Sequence, residues 1–234
     1  MPRWIVILLF CVGTSSAQDV PPMILAGPEA DSVLASLPRD TSSFATVGVL
    51  FTNRVFLRQT TDGRRDADSA IAYLTAAIAY HPTPQLQAYL FVATALRASK
   101  DGLWAKLTGS TKNRATEAFA QCDSLALLYP DDLGVQFLTA NLFQEGDKLD
   151  QKMYYWQRAW DITADLWERQ QSHAAFFTPE VHASLLLIEG KLIVKLRRFG
   201  AESNERAVAV WQRAIQEFPN TNAAQNARKQ CEKY

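Results

Sequence analysis

The chain contains apolar stripes in which hydrophobic residues recur at alternating steps of three and four positions. This spacing places side chains on one face of an α-helix. No useful length of the chain alternates apolar and polar residues in the way that a half-buried strand does. The pattern therefore predicts an all-α fold with four amphipathic helices of one kind, within residues 67–78, 115–129, 149–167 and 207–218.

Three of these four stripes stop at a proline, namely Pro82, Pro130 and Pro219. Proline lacks the N–H that would continue a helix, so each marks a helix end. Counting back 12, 8 and 5 positions from each proline gives a small residue, a bulky residue and a usually small residue: Ala70-Leu74-Ala77, Ala118-Cys122-Leu125 and Ala207-Trp211-Ala214. This pattern resembles the second helix of the tetratricopeptide (TPR) repeat. The remaining stripe, with Trp156 and Ala159, is a divergent copy.

A capping residue precedes each segment that would serve as a first helix. Thr and Asp side chains accept hydrogen bonds from exposed N–H groups at a helix start, and proline is tolerated at the first helical position. The resemblance implies a TPR-like α-solenoid of about four antiparallel helix pairs plus a polar C-terminal capping helix, over residues 41–234. The predicted starts are Thr41 or Ser42, Thr83-Pro84, Asp131-Asp132, Thr178-Pro179 and, for the capping helix, Asn220.

The N-terminus has the layout of a secretory signal peptide over residues 1–17. Arg3 precedes an apolar run from Trp4 to Val12, and the small residues Ser15 and Ala17 stand at the −3 and −1 positions of a cleavage site. Nine apolar residues are too few to span a bilayer, which needs about 20. Lipid attachment at Cys11 is the alternative, but bulky Phe10 precedes this cysteine. We expect a periplasmic or secreted protein.

Residues 18–40 are predicted to form a tether with one short helix at 31–37. The mature chain keeps two cysteines, Cys122 and Cys231. Cys122 occupies a bulky, buried position of the second stripe, whereas Cys231 lies in the capping helix. We expect no disulfide between them, because stacked helix pairs would hold their Cα atoms too far apart.

Composition and motifs argue against several classes of function. Lys and Arg number 24 and so do Asp and Glu, and this zero net charge argues against broad nucleic-acid affinity. The three histidines lack the i, i+4 spacing of a helical zinc pair, and no nucleophile or phosphate-binding motif is present. We expect neither an enzyme nor a bound cofactor or metal.

The resemblance to TPR proteins implies that the first helices line a concave groove. Lys191 and Lys195 share a helix face there, and they either neutralise the helix C-terminus or hold a carboxylate or phosphate. Trp104 and Lys106, in an insertion at 99–110, form a second candidate contact. Carried over by position, the groove residues are Asn53, Gln87, Phe91, Thr139, Lys191 and Lys195.

The sequence leaves two functions open. The first is an exported, non-enzymatic scaffold or adaptor of the bacterial cell envelope that binds a protein or peptide in the groove. The second is a small-molecule or solute-binding accessory of an envelope transport system, with Trp156, Trp160 and Trp167 forming a pocket. These tryptophans are otherwise explained as core residues of the repeat.

Overall fold

The predicted all-α fold is confirmed over the part of the chain that the structure describes. The computed structural model describes residues 27–37, 40–56, 60–100 and 110–234, and these ranges contain helices and no β-strand. Short 3-10 helices occupy Gly146–Lys148 and Gly200–Glu202. The α-helices are α1 (Gly27–Ser36), α2 (Phe44–Phe56), α3 (Gly63–Tyr80), α4 (Pro84–Ser99), α5 (Ser110–Leu128), α6 (Leu133–Phe143), α7 (Lys152–Arg169), α8 (Pro179–Leu196), α9 (Ser203–Glu217) and α10 (Asn222–Cys231).

Side-chain caps begin most of the helices that the sequence marked. Thr83 accepts a hydrogen bond from Leu86 N at 3.2 Å, and Asp132 accepts one from Val135 N at 3.0 Å. Thr178 caps α8 in the same way, and its side chain accepts from the backbone of Val181. The last helix differs from expectation because Thr221, not Asn220, is its N-cap.

Helices that are adjacent in the chain pack against each other from α1 to α10, with the strongest contacts in α2–α3, α4–α5 and α8–α9. Alternate helices also meet, since α2 packs on α4, α4 on α6 and α8 on α10. We call α2, α4, α6 and α8 the first helices, and α3, α5, α7 and α9 the second helices. Residues of α6 and α8 also share one buried cluster, which contains Phe137 and Leu185. The first helices therefore lie beside one another and form one side of the molecule.

The small and bulky positions of the second helices are buried as predicted. Leu74, Cys122 and Trp211 are essentially inaccessible. The stripe of α7 differs, because Met153, one of its expected members, is 55% exposed. The buried face consists of Tyr155, Trp156, Ala159, Ile162, Thr163 and Leu166. The helix is thus rotated relative to the stripe inferred from its tryptophans.

The predicted tether contributes a helix that packs on α2. This helix, α1, begins at Gly27 instead of the expected residue 31. Its Leu34 is buried against Val47 and Leu50 of α2. The proposed signal peptide and the first part of the tether lie outside the described residues.

Two phenylalanines of the segment between α7 and α8 enter the core. Phe176 and Phe177 are buried beside Phe137 and Leu185. The sequence indicates only an inserted loop at 170–177, since no periodicity marks these residues as core. This loop is therefore held by burial of its two rings against α6 and α8.

Two glycines allow first and second helices to approach closely. A Cβ atom at Gly48 would lie 2.7 Å from Cγ of Leu74, and one at Gly190 would lie 2.2 Å from Nε1 of Trp211. The same indole N–H donates to the carbonyl oxygen of Leu187 at 3.2 Å. Each glycine thus faces the bulky residue of the paired second helix.

Ala77→Asp and Ala214→Asp should each lower the free energy of unfolding by at least about 3 kcal/mol, because each buries an unpaired carboxylate. The same substitution at the exposed residues Ala79 and Ala209 of the same helices should cost less than about 1 kcal/mol. Denaturant unfolding followed by circular dichroism measures all four. Equal stability of the buried and exposed variants would contradict the helix packing described above.

Gly190→Ala should destabilise the protein by about 1–3 kcal/mol, because the new methyl group displaces the indole of Trp211. Alanine favours an isolated helix over glycine by about 1 kcal/mol, so the sign of the change separates packing from propensity. In a double-mutant cycle with Trp211→Phe, the smaller ring should reduce the cost of the alanine. A stabilised Gly190→Ala chain would contradict the close approach.

Candidate binding site

The side of the molecule formed by the first helices contains a small cleft, which we call the central cleft. Its volume is about 40 Å³, room for a few water molecules or one small chemical group. Four helices that are distant in sequence contribute to it, and α2 and α8 lie more than a hundred residues apart along the chain. The lining residues are Phe56, Val92, Phe137 and Leu138, which are apolar, and Thr52, Asn53, Tyr89, Asn141 and Ser184, which are polar.

The hydroxyl of Tyr89 is the unusual group of the central cleft. The side chain is 4% exposed, and its hydroxyl has no hydrogen-bond partner among the described residues. Burial raises the pKa of this phenol, so the hydroxyl stays protonated at physiological pH. A buried polar group normally has a partner, and this hydroxyl is therefore an available hydrogen-bond donor and acceptor.

Two other polar groups of the cleft are hydrogen-bonded within their own helices. Thr52 donates its hydroxyl proton to the carbonyl oxygen of Gly48 at 2.9 Å, and Asn141 donates its side-chain N–H to that of Phe137 at 3.1 Å. These bonds fix the orientation of both side chains. None of the lining side chains carries a charge at neutral pH, so the cleft is polar but electrically neutral.

Asn53 is the predicted groove residue that the structure brings into the central cleft, where it is buried. Thr139 does not line a groove as predicted, because it is fully buried and its hydroxyl lies 3.3 Å from the Sγ atom of Cys122. It faces the second helix α5 and not a surface that a partner could reach. Cys122 is confirmed as a buried residue, and burial raises the pKa of its thiol to about 12. Both it and Cys231 are free thiols.

The remaining predicted contacts are dispersed. Gln87 and Phe91 are half-buried on α4, and Phe91 packs against two core clusters. Neither lines the central cleft. Trp104 and Lys106 lie outside the described residues. Sequence reasoning did not single out Tyr89 or Asn141 as binding residues, although a tyrosine and an asparagine on otherwise apolar stripes signal polar groups that need partners.

Lys191 and Lys195 share a face of α8 as expected, but that face meets another part of the same chain. Lys191 Nζ lies 2.9 Å from Oε1 of Glu145, and Lys195 Nζ lies 2.7 Å from Oδ2 of Asp147. Lys195 also donates to the carbonyl oxygen of Gln144. We call these contacts the lysine clasp, and they tie α8 to the segment that follows α6. Both carboxylates are supplied internally, so neither lysine is poised for a partner's carboxylate.

The lysine clasp changes the acidity of Glu145. Burial alone would raise the pKa of this carboxyl, but the charge and hydrogen bond of Lys191, with help from Lys195 and Gln144, outweigh it and lower the pKa to about 2. The carboxylate is therefore ionised throughout the physiological range. The ion pair between Glu145 and Lys191 therefore persists over the same range.

The third helix pair consists of α6 and α7, and the indole rings of α7 contact neighbouring side chains. The ammonium group of Lys195 lies 5.3 Å from the centre of the Trp156 ring, and the guanidinium of Arg198 lies 4.4 Å from that of Trp160. Trp167 contacts the ring of His182. None of the three tryptophans lines the central cleft, and these contacts favour their interpretation as packing residues.

Within the described ranges, no group of three or more His, Cys, Asp or Glu side chains is arranged to hold a metal ion. No helix among those described is long and apolar enough to cross a membrane. No known protein family, curated protein or solved structure matches the chain.

Replacing Glu145 by Gln should remove a stabilising contribution that depends on pH. The folded-state pKa of about 2 lies below the ordinary value of 4.5, so the contribution is complete above that ordinary value and is lost as the pH falls towards 2. Because 38% of the side chain is exposed, solvent screening limits it to about 1 kcal/mol.

Denaturant unfolding at a series of pH values measures this difference between wild type and Glu145→Gln. The gap should shrink as the pH falls through the acid range, whereas Glu168→Gln, at an exposed residue of α7, serves as the control. A gap of constant size would mean that the lysine clasp does not depend on the Glu145 charge.

Proposed function

We propose that this protein is an exported, non-enzymatic scaffold with a TPR-like solenoid arrangement, which binds a protein or peptide along its first helices. The observation that carries the proposal is the central cleft, because four first helices contribute polar and apolar groups to one surface. The packing of α2 on α4, α4 on α6 and α8 on α10 supports the stacked arrangement.

Stacked helix pairs suit an elongated partner for a physical reason. A single pair cannot bury its apolar face alone, so neighbouring pairs cover each other and leave one extended surface. In our proposal this surface includes Asn53 within the cleft and the half-buried Gln87 and Phe91 beside it. Lys191 and Lys195 contribute to folding through the lysine clasp instead of to the partner.

The proposed location is the periplasm or the cell exterior, and it rests on residues 1–17. A basic start, an apolar run and small residues before a cleavage site favour export. A role in the bacterial cell envelope follows from the resemblance of the C-terminal segment EFPNTNAAQNA to exported TPR proteins.

The alternative, a solute-binding accessory of a transport system, gains no support from the third helix pair. Its tryptophan rings already contact the side chains of Lys195, Arg198 and His182. The central cleft is also far smaller than the roughly 300–1,000 Å³ of a typical ligand pocket. A group that projects from a larger partner fits this cleft better than a whole solute does.

Site-specific photo-crosslinking in the native envelope tests the proposed function. A benzophenone amino acid at Gln87, on the first helices, should capture a protein partner, whereas the same probe at the exposed residue Gln212 of α9 should not. Ser184→Arg, which fills the central cleft, should abolish the adduct at position 87. Equal capture at both positions, or capture that survives Ser184→Arg, would contradict binding at the first helices.

A further inference from the structure

The central cleft combines three properties that together restrict what it can bind. It buries a hydroxyl that has no partner among the described residues, it carries no charge, and it is small. Each property excludes a class of ligand. The inference below rests on the proposed function and specifies the chemical group that the partner inserts.

We propose that the central cleft binds one uncharged amide group of the partner, either a backbone peptide group or the carboxamide of an Asn or Gln side chain, and that Tyr89 donates a hydrogen bond to its oxygen. A neutral phenol carries one O–H donor, and the side chain of Asn141 in the same cleft carries an acceptor oxygen. An amide group also has both kinds of atom. Its two ends can therefore be satisfied within the same cleft.

Charged groups are excluded because the cleft offers nothing to neutralise them. A carboxylate or ammonium group placed beside Tyr89 and Phe137, which are 4% and 2% exposed, would lose its hydration without gaining an ion pair. Such burial is strongly unfavourable. The lysines that could have attracted a carboxylate are already paired with Glu145 and Asp147.

The size of the cleft excludes larger groups. A volume of about 40 Å³ holds a few waters or one amide-sized group. Val92 and Leu138 provide apolar walls, which suit the flat faces and the aliphatic attachment of an amide. An aromatic or long aliphatic side chain would require the first helices to separate.

Because the Tyr89 hydroxyl has no hydrogen-bond partner among the described residues, we expect an unusual combination of effects from Tyr89→Phe. In the protein without a partner, removal of an unpaired buried hydroxyl should leave the melting temperature unchanged or raise it. In the complex, the same change should weaken binding about fivefold or more, the equivalent of one hydrogen bond. A hydroxyl with a purely structural role would show the opposite behaviour, with lower stability and unchanged binding.

The test is an NMR titration of the purified protein with N-methylacetamide, acetate and methylammonium, which are similar in size and differ in charge. We expect saturable shifts in cleft residues such as Ser184 and Asn141 with N-methylacetamide alone. Tyr89→Phe should weaken this binding about fivefold, whereas the matched control Tyr155→Phe, which packs on Phe119 and Phe143 away from the cleft, should not. If Tyr89→Phe fails to fold, Ser184→Ala replaces it, because it removes another hydroxyl that lines the cleft and should also weaken the binding of N-methylacetamide.

Three results would overturn the inference. The first is the absence of any saturable shift with N-methylacetamide, which means that the cleft holds only water. The second is equal or stronger binding of acetate or methylammonium. The third is unchanged affinity in Tyr89→Phe or, if that variant does not fold, in Ser184→Ala.

Failure of this inference and failure of the proposed function can be told apart. Amide binding in the cleft without crosslinking of a protein at Gln87 would contradict the partner and leave the amide site intact. Crosslinking that depends on Ser184, without amide binding, would retain the protein partner and overturn the amide site.

Discussion

First and second helices approach closely because Gly48 and Gly190 have no side chain at the points of contact. Leu74 and Trp211 occupy the space above these glycines, with contacts that leave no room for a Cβ atom. An isolated helix of this length is marginal in water and gains most of its stability from packing. A single helix pair still leaves part of its apolar face uncovered, and contact between α2, α4, α6 and α8 forms the central cleft.

The charged groups around that surface serve the fold before they serve a partner. Lys191 and Lys195 reach across from α8 to Glu145 and Asp147, and Arg198 lies on the ring of Trp160. The two lysine contacts connect α8 to the segment after α6, and the arginine contact connects the end of α8 to α7. Because these cations are paired within the chain, recognition at the cleft would in our proposal depend on neutral hydrogen-bonding groups and on shape.

The buried hydroxyl of Tyr89 has no hydrogen-bond partner among the described residues, which is a cost to stability. A phenylalanine at this position would fill the same space without burying an unpaired polar group. Local departures from the rules of stable packing are expected at functional sites, where another gain offsets their cost. In our proposal the gain is a hydrogen bond that forms only when the partner inserts an amide group between the first helices.

The sequence by itself determined the helices, because caps such as Thr83 and Thr178 and the small and bulky positions around Leu74 act through neighbours a few residues away. The tertiary structure alone decided which faces meet. It buried Thr139 against Cys122 and paired Lys191 with Glu145, a residue 46 positions away in sequence. Periodicity reports that a side chain lies on one face of a helix, but the identity of the group opposite depends on how distant helices stack.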